Sequence, residues 1–358
     1  MRPLAAWALV LAGAAGTAAA FAFPWQVPAA LAAVSLWALP RRAVWLGAAL
    51  TMAVQALLVG LFAGGDGPGP FSTRGLQEGA VAGARLVAAV GVNLAILARA
   101  RPARLLEGLR LGRRATAFSS AVVLCVQDLG REARNAWDAR TAEGSWPRGW
   151  RPRVRAVAAT VPHLLVVALA SAQRRAESLH LAGIPVGPAF APVVALTALS
   201  VLGRLAFVAV PNVALTYVVA FAGGLWFGSR LGAGSAMAAM AATNLVLTGL
   251  APTPFVNVPA MGAVALAGAA CRRVDLGGAG GAFLAGAIGV VATAAFSATA
   301  DTLEWLLVPE LRRHVPLPAR LLAGLAFNIP AAVANALLFS GAAGALSRAR
   351  AALRAAPR

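Results

Sequence analysis

Few positions in this chain carry the residue types that chemistry needs. Asp301 and Glu304 stand three apart in SATADTLEW, so a helix sets both carboxylates on one face, as a general acid–base pair or a cation site requires. No histidine and no third carboxylate lies within a helical turn of them, which argues against a metal centre. Pairing with Arg312 and Arg313, or a place at a substrate mouth, is the plainer expectation. Arg204 lies inside an apolar stretch. An arginine at the middle of a membrane helix costs about 2.5–3.5 kcal/mol on insertion scales and faces a cavity or a partner; one near an interface snorkels instead. Both readings stand. Asn328 and Asn335 in FNIPAAVAN share a helical face. Such amides line a pocket or bond across helices, the latter worth on the order of 0.6 kcal/mol, and packing is expected. Asn212 follows Pro211 at a break between two apolar stretches, and Thr253, Phe255 and Asn257 sit in a proline-containing connection expected to cover a pocket.

What is missing narrows the chemistry further. All 31 basic residues are arginine. The absence of lysine excludes a P-loop, whose lysine must reach the terminal phosphates, and Schiff-base chemistry. Two cysteines 146 positions apart and three scattered histidines offer neither a disulfide framework nor a zinc site. The glycines of GGAGG at 277–281 follow no strand and precede no suitably spaced acidic residue, so they read as a turn and not as a nucleotide loop. The chain is therefore not expected to be an enzyme, to hold a metal or to use a cofactor of its own.

The elements that position these residues are apolar. Hydrophobic residues make up 60% of the 358 positions and charged ones 12%, against about 25% charged in soluble domains; mean hydropathy is +0.76. Such a chain has too few polar residues to cover a water-exposed surface. A membrane-spanning helix takes about 20 apolar residues. Stretches of that kind run over 4–23, 44–62, 79–98, 190–210, 213–227, 231–250, 258–270, 281–300 and 317–346, with a shorter one at 27–39. The expected fold is an all-α integral membrane protein of about ten spans. The first run follows Arg2 and has a signal-peptide look, but further apolar segments follow it without a soluble domain, so it is expected to stay as an anchored helix. Fifteen of the arginines fall between Arg99 and Arg175. Positive loops stay in the cytoplasm, which places this section inside, in a multi-pass protein of the bacterial plasma membrane. Attraction to anionic lipid accounts for such charge equally well; a nucleic-acid partner has no aromatic interleaving to support it.

The basic middle is patterned. Val122, Val126, Leu129, Ala133 and Trp137 recur at helical spacing, and Val154, Val157, Val161, Leu164 and Ala168 make a second stripe. The prolines and glycines of TAEGSWPRGWRPR separate them. Two long helices follow, with apolar faces on the membrane body and basic ends in the cytoplasm. PARLLEGLRLG, ARNAWDARTAEG and VPHLLVVALASAQRRAESLHLAGIP, in that order, resemble the transmembrane (T) component of energy-coupling factor transporters over about residues 40–185. The resemblance implies two coupling helices whose ends sit on cytoplasmic ABC-type ATPase subunits. The first motif maps onto Ala139, Arg140 and Thr141, with threonine for the family's glycine. The second maps onto Leu181, Ala182 and Gly183, with Ala182 for its arginine.

From Pro188 the composition turns glycine-rich and arginine-poor. GRLAFVAVPNV, GLWFGSRLG and GLAPTPFVNVPAMG resemble the substrate-specific (S) component of the same transporters over about residues 188–346, nearest the vitamin and cobalamin-type members. The resemblance implies a T-like domain at 1–186 fused to a six-helix S-like domain at 187–358. It implies a vitamin-like solute held near Arg204, Asn212, Thr253, Phe255, Asn257 and Asn328. Ala191 and Ala195 form the small-residue face through which the two halves dock, and ATP is used by partner subunits alone. The motif departures at Thr141 and Ala182 motivate a different class, an uncoupled membrane solute-binding protein acting as facilitator or sensor.

Overall fold

The computed structural model describes residues 73–100, 112–142, 150–206, 215–248, 253–307 and 309–355, with scattered positions before residue 73. These are helical, with no strand among the described residues. In chain order they form α1 (Thr73–Ala100), α2 (Arg113–Ala142), α3 (Trp150–Leu181), α4 (Phe190–Ala206), α5 (Leu215–Phe227), α6 (Ser229–Thr248), α7 (Thr253–Ala270), α8 (Gly278–Leu307), α9 (Pro309–His314) and α10 (Leu317–Ala355). A single 3₁₀ turn, Cys271–Arg273, closes α7. Two stretches, Gly278–Leu307 and Asn328–Arg348, are long and apolar enough to cross a membrane, and Phe190–Arg204 and Leu215–Phe227 are shorter apolar helices.

The missing N–H accounts for one proline, whereas Pro259 and Pro330 stand inside α7 and α10. Pro254 falls in the first turn of α7, where that donor has no helical partner anyway. The sequence reading of Thr253, Phe255 and Asn257 as a covering loop is therefore corrected: all three stand in the first turns of α7.

One core of small and branched side chains joins α2 and α3 to the helices that follow. Cys125, Leu129, Leu165 and Ala168 share it with Val194, Ala195, Phe221, Met261, Phe339 and Leu346. α4 lies against α2, α3, α5 and α6; α10 lies against α8, α5 and α3; and α1 packs on α6.

Within the second half, backbones touch. A Cβ on Gly224 would lie 1.8 Å from the Ala265 carbonyl oxygen, one on Gly268 2.0 Å from that of Phe221, and one on Gly232 2.5 Å from the Gly224 nitrogen. These glycines seat α5 directly on α6 and α7, a contact that only a missing side chain allows. Gly234 on the same helix faces open space. We expect Gly224→Ala to lower stability by about 2 kcal/mol or more, since backbone cannot yield as a side-chain tip can. Gly234→Ala should be neutral or stabilising by up to about 1 kcal/mol. Thermal unfolding in detergent, followed by fluorescence size exclusion, separates the two.

Candidate functional site

α2 and α3 meet near their middles through polar groups set beside the apolar stripes. The Asp128 Oδ2 atom accepts from Ser171 Oγ and from Arg175 Nη2, both at 2.7 Å, and Oδ1 accepts from Arg131. The Cys125 thiol donates to the Ala168 carbonyl, and Glu132 pairs with His163 at 3.0 Å. Desolvation works against the Asp128 charge, but the Ser171 hydroxyl and the Arg175 and Arg131 guanidiniums outweigh it and hold the carboxyl below its ordinary range. Burial pushes the Cys125 thiol up to about 11, which keeps it protonated and inert. The α2 stripe packs as expected at Val122, Val126, Leu129 and Ala133. Trp137 continues the stripe but is 51% exposed.

The helix ends beyond the crossing carry the two expected motifs. Ala139 and Thr141 are exposed, and the Thr141 hydroxyl turns back onto the Trp137 carbonyl; the side chain of Arg140 lies outside the described residues. At the other end Leu181 is 88% exposed. The Ile184 N–H bonds the Leu179 carbonyl and the Gly183 N–H that of His180, with Gly183 at φ +70°. That pattern is a glycine helix stop, so Leu181, Ala182 and Gly183 present a terminated helix end. The N-terminal part of α2 and the C-terminal part of α3 wall the same cavity. The two motifs therefore stand at opposite ends of the pair, roughly 30 Å apart at 1.5 Å per residue.

α4 runs alongside α2 in the same direction: Phe118 meets Phe190 edge to face at 6.2 Å, and Gly130 faces Leu202. Ala195 is fully buried and Ala191 packs on the same core.

Polar residues of the second half collect at one end of the helices, where α4, α6 and α8 finish and α5, α7 and α10 begin. Arg204 Nη1 donates to Thr243 Oγ1 at 2.8 Å and Asn244 Oδ1 at 2.6 Å, and contacts the Met240 sulfur. Its three partners are neutral. Tyr217 stands beside Phe296 at 5.1 Å. Across α8 and α10, Ser297 donates to Asn328 and Asn335 to Thr293, both at 2.8 Å. Arg320 bridges Glu304 at 2.6 Å and Asp301 at 3.2 Å. The expected partners Arg312 and Arg313 are replaced by Arg320, because the helix hairpin brings residue 320 back to the level of 301–304. The opposite end is basic, with Arg230, Arg272, Arg273, Arg348 and Arg350 against Asp275.

The expected solute set is thus divided. Arg204 and Asn328 belong to separate hydrogen-bonded clusters at the same end, and Asn257 is half-buried at the start of α7. Asn212 and the side chains of Thr253 and Phe255 lie outside the described residues. Sequence reasoning missed Thr243 and Asn244, although two polar residues in an apolar helix were a signal; it also missed Asp128, Ser171 and Arg175. Among the described residues no group of three histidine, cysteine or acidic side chains converges on a metal position. The chain is all-helical among the described residues, with two helices long and apolar enough to cross a membrane. No family model, no curated protein and no solved structure matches it.

A carboxylate held low stabilises the fold above its unfolded pKa of about 3.9 and loses that contribution as pH falls through its folded value. Asp128→Asn should therefore cost roughly 1–2 kcal/mol at pH 7, with the gap to the native chain closing below about pH 4. Thermal unfolding of both proteins across that pH range reads the effect.

Proposed function

We propose that this chain is the membrane subunit of an ATP-driven importer of the energy-coupling factor type. Residues 1–186 engage cytoplasmic ABC-type ATPase subunits, and residues 187–358 bind a small vitamin-like solute. One observation carries the proposal: the crossed helices α2 and α3 both lie directly on α4, the first helix of the second half, so displacement of the pair acts on the solute-binding half without an intermediary. Opposite placement of the two motif ends suits two ATPase subunits, one at each end.

Exposed apolar side chains support a bilayer setting. Phe283, Val291 and Leu307 on α8 and Leu322, Ile329 and Val333 on α10 are 56–80% exposed, a band that water penalises and lipid accepts. We place about ten spans in a bacterial plasma membrane, counting the apolar stretches before residue 73. The direction of α4 adds a constraint. With α4 upright and its basic end inside, the Ala139–Thr141 end of α2 would emerge on the far side. Both motif ends reach the cytoplasm only when the pair lies along the inner membrane surface, with the six-helix half tipped beside it. Solute capture at the polar end then requires that half to stand upright.

Affinity purification of the tagged chain from its native host, with quantification of the proteins that accompany it, tests the proposal. We expect ATPase subunits at two per chain, lost or halved on Arg140→Ala. Reproducible recovery without any ATPase in mild detergent would overturn it. The departures at Thr141 and Ala182 favour in that case the uncoupled solute-binding protein, a facilitator or sensor.

A further inference from the structure

Arginines that the helix crossing leaves unused converge on a cavity. Between the start of α2 and the end of α3 lies a space of about 590 Å³, whose walls include Arg113, Thr116, Ser120, Arg175 and Ser178. A second space of about 560 Å³ shares Ala117 and Ile184 with it and is walled by Arg114, Phe118 and Phe190. The two form a groove running from the α2–α3 pair to the start of α4. Three guanidiniums face it. Neither Arg113 nor Arg114 pairs with a carboxylate among the described residues. Arg175 gives one nitrogen to Asp128, while its buried Nε has no partner among the described residues. Among the described residues no carboxylate lines either space, and the neighbouring Asp128 already serves Arg131 and Arg175. The groove therefore holds net positive charge and an unspent buried donor, beside hydroxyls and an apolar floor of Leu124, Leu179 and Ile184.

That combination matches a molecule with a phosphate at one end and hydrocarbon at the other. A free phosphate would use the arginines and hydroxyls but leave the floor and the Phe118–Phe190 pair bare. The groove lies at the basic end of the second half, on the side where positive charge is retained. It borders the inner leaflet whether the α2–α3 pair lies along the membrane or α4 stands upright. We propose that this groove binds an anionic phospholipid of the inner leaflet. Arg113, Arg114 and the free edge of Arg175 hold the headgroup phosphate, and an acyl chain lies along Leu179, Ile184 and Phe190. The proposal rests on the membrane reading above and is independent of ATPase coupling.

The test uses the full-length chain, delipidated in detergent and titrated with short-chain phosphatidylglycerol. Phosphatidylcholine of the same chain length and inorganic phosphate are run beside it, with the thermal unfolding midpoint as readout. We expect a saturable rise with phosphatidylglycerol and none with the other two. Arg113→Gln/Arg114→Gln alters exposed side chains and should fold normally, while its apparent affinity falls roughly twenty-five-fold, about fivefold for each arginine. Arg230→Gln/Arg273→Gln, an equal loss of charge elsewhere on the basic end, should leave the affinity unchanged. Equal response to phosphatidylcholine would overturn the proposal, as would an unaltered Arg113/Arg114 variant or an equal loss in the Arg230/Arg273 variant. A response to inorganic phosphate matching that to phosphatidylglycerol would reassign the groove to a free anion and overturn the lipid. A chain that remains monodisperse in buffer without detergent would instead remove the membrane reading itself.

Discussion

Lipid tails are as apolar as leucine, so burying leucine between two membrane helices gains little, and close backbone approach must hold such helices together. The second half of this chain is packed as that constraint would require. Gly224, Gly232 and Gly268 remove the side chains that would separate α5, α6 and α7, and alanine is the commonest residue in the surrounding core. Valine, leucine and a few larger side chains fill the rest, among them the tilted pair Phe221 and Phe339, 5.3 Å apart. The alanine and glycine content that makes the composition look featureless is the packing code.

Polar groups then become the specific contacts. Asp128 collects Ser171, Arg175 and Arg131 at the crossing of α2 and α3, and Arg320 draws Asp301 and Glu304 across the α8–α10 hairpin. Each pairing sets the register of two long helices that apolar contact alone would let slide. Arg204 differs, because its partners Met240, Thr243 and Asn244 are all neutral. Among the described residues its charge is met by dipoles and not by a carboxylate.

The proposed function and the proposed lipid site meet at α4. This helix touches both α2 and α3 and two helices of the second half, and its first residue, Phe190, forms part of the basic groove. A headgroup held there would grip the joint between the halves from the membrane side. Lipid occupancy and displacement of the pair would then act on the same helix.

Composition and spacing determined the class of structure and the outline of its elements. Helical stripes at 122–133 and 164–168, the break after Ala142 and the stop at Gly183 were all legible, because helix formation depends on residues within a few positions. The change in character near residue 188 was legible for the same reason. What depended on distant residues was not. Trp137 continued the stripe on α2 yet lies exposed, since helical spacing says which face a residue is on and not what packs against it. Asp301 and Glu304 pair with Arg320, which hairpin register selects over the nearer Arg312 and Arg313. Thr253, Phe255 and Asn257 looked like a loop because two prolines flank them, but a proline in a first turn costs a helix nothing. The cross-helix partners of Arg204 and Asp128 lie 36 to 47 residues away, and no local pattern carries that distance. Local sequence determined which helices form and which face of each is apolar. Tertiary packing alone decided which buried charges meet, because the meeting depends on crossing angles and backbone contacts set by several helices at once.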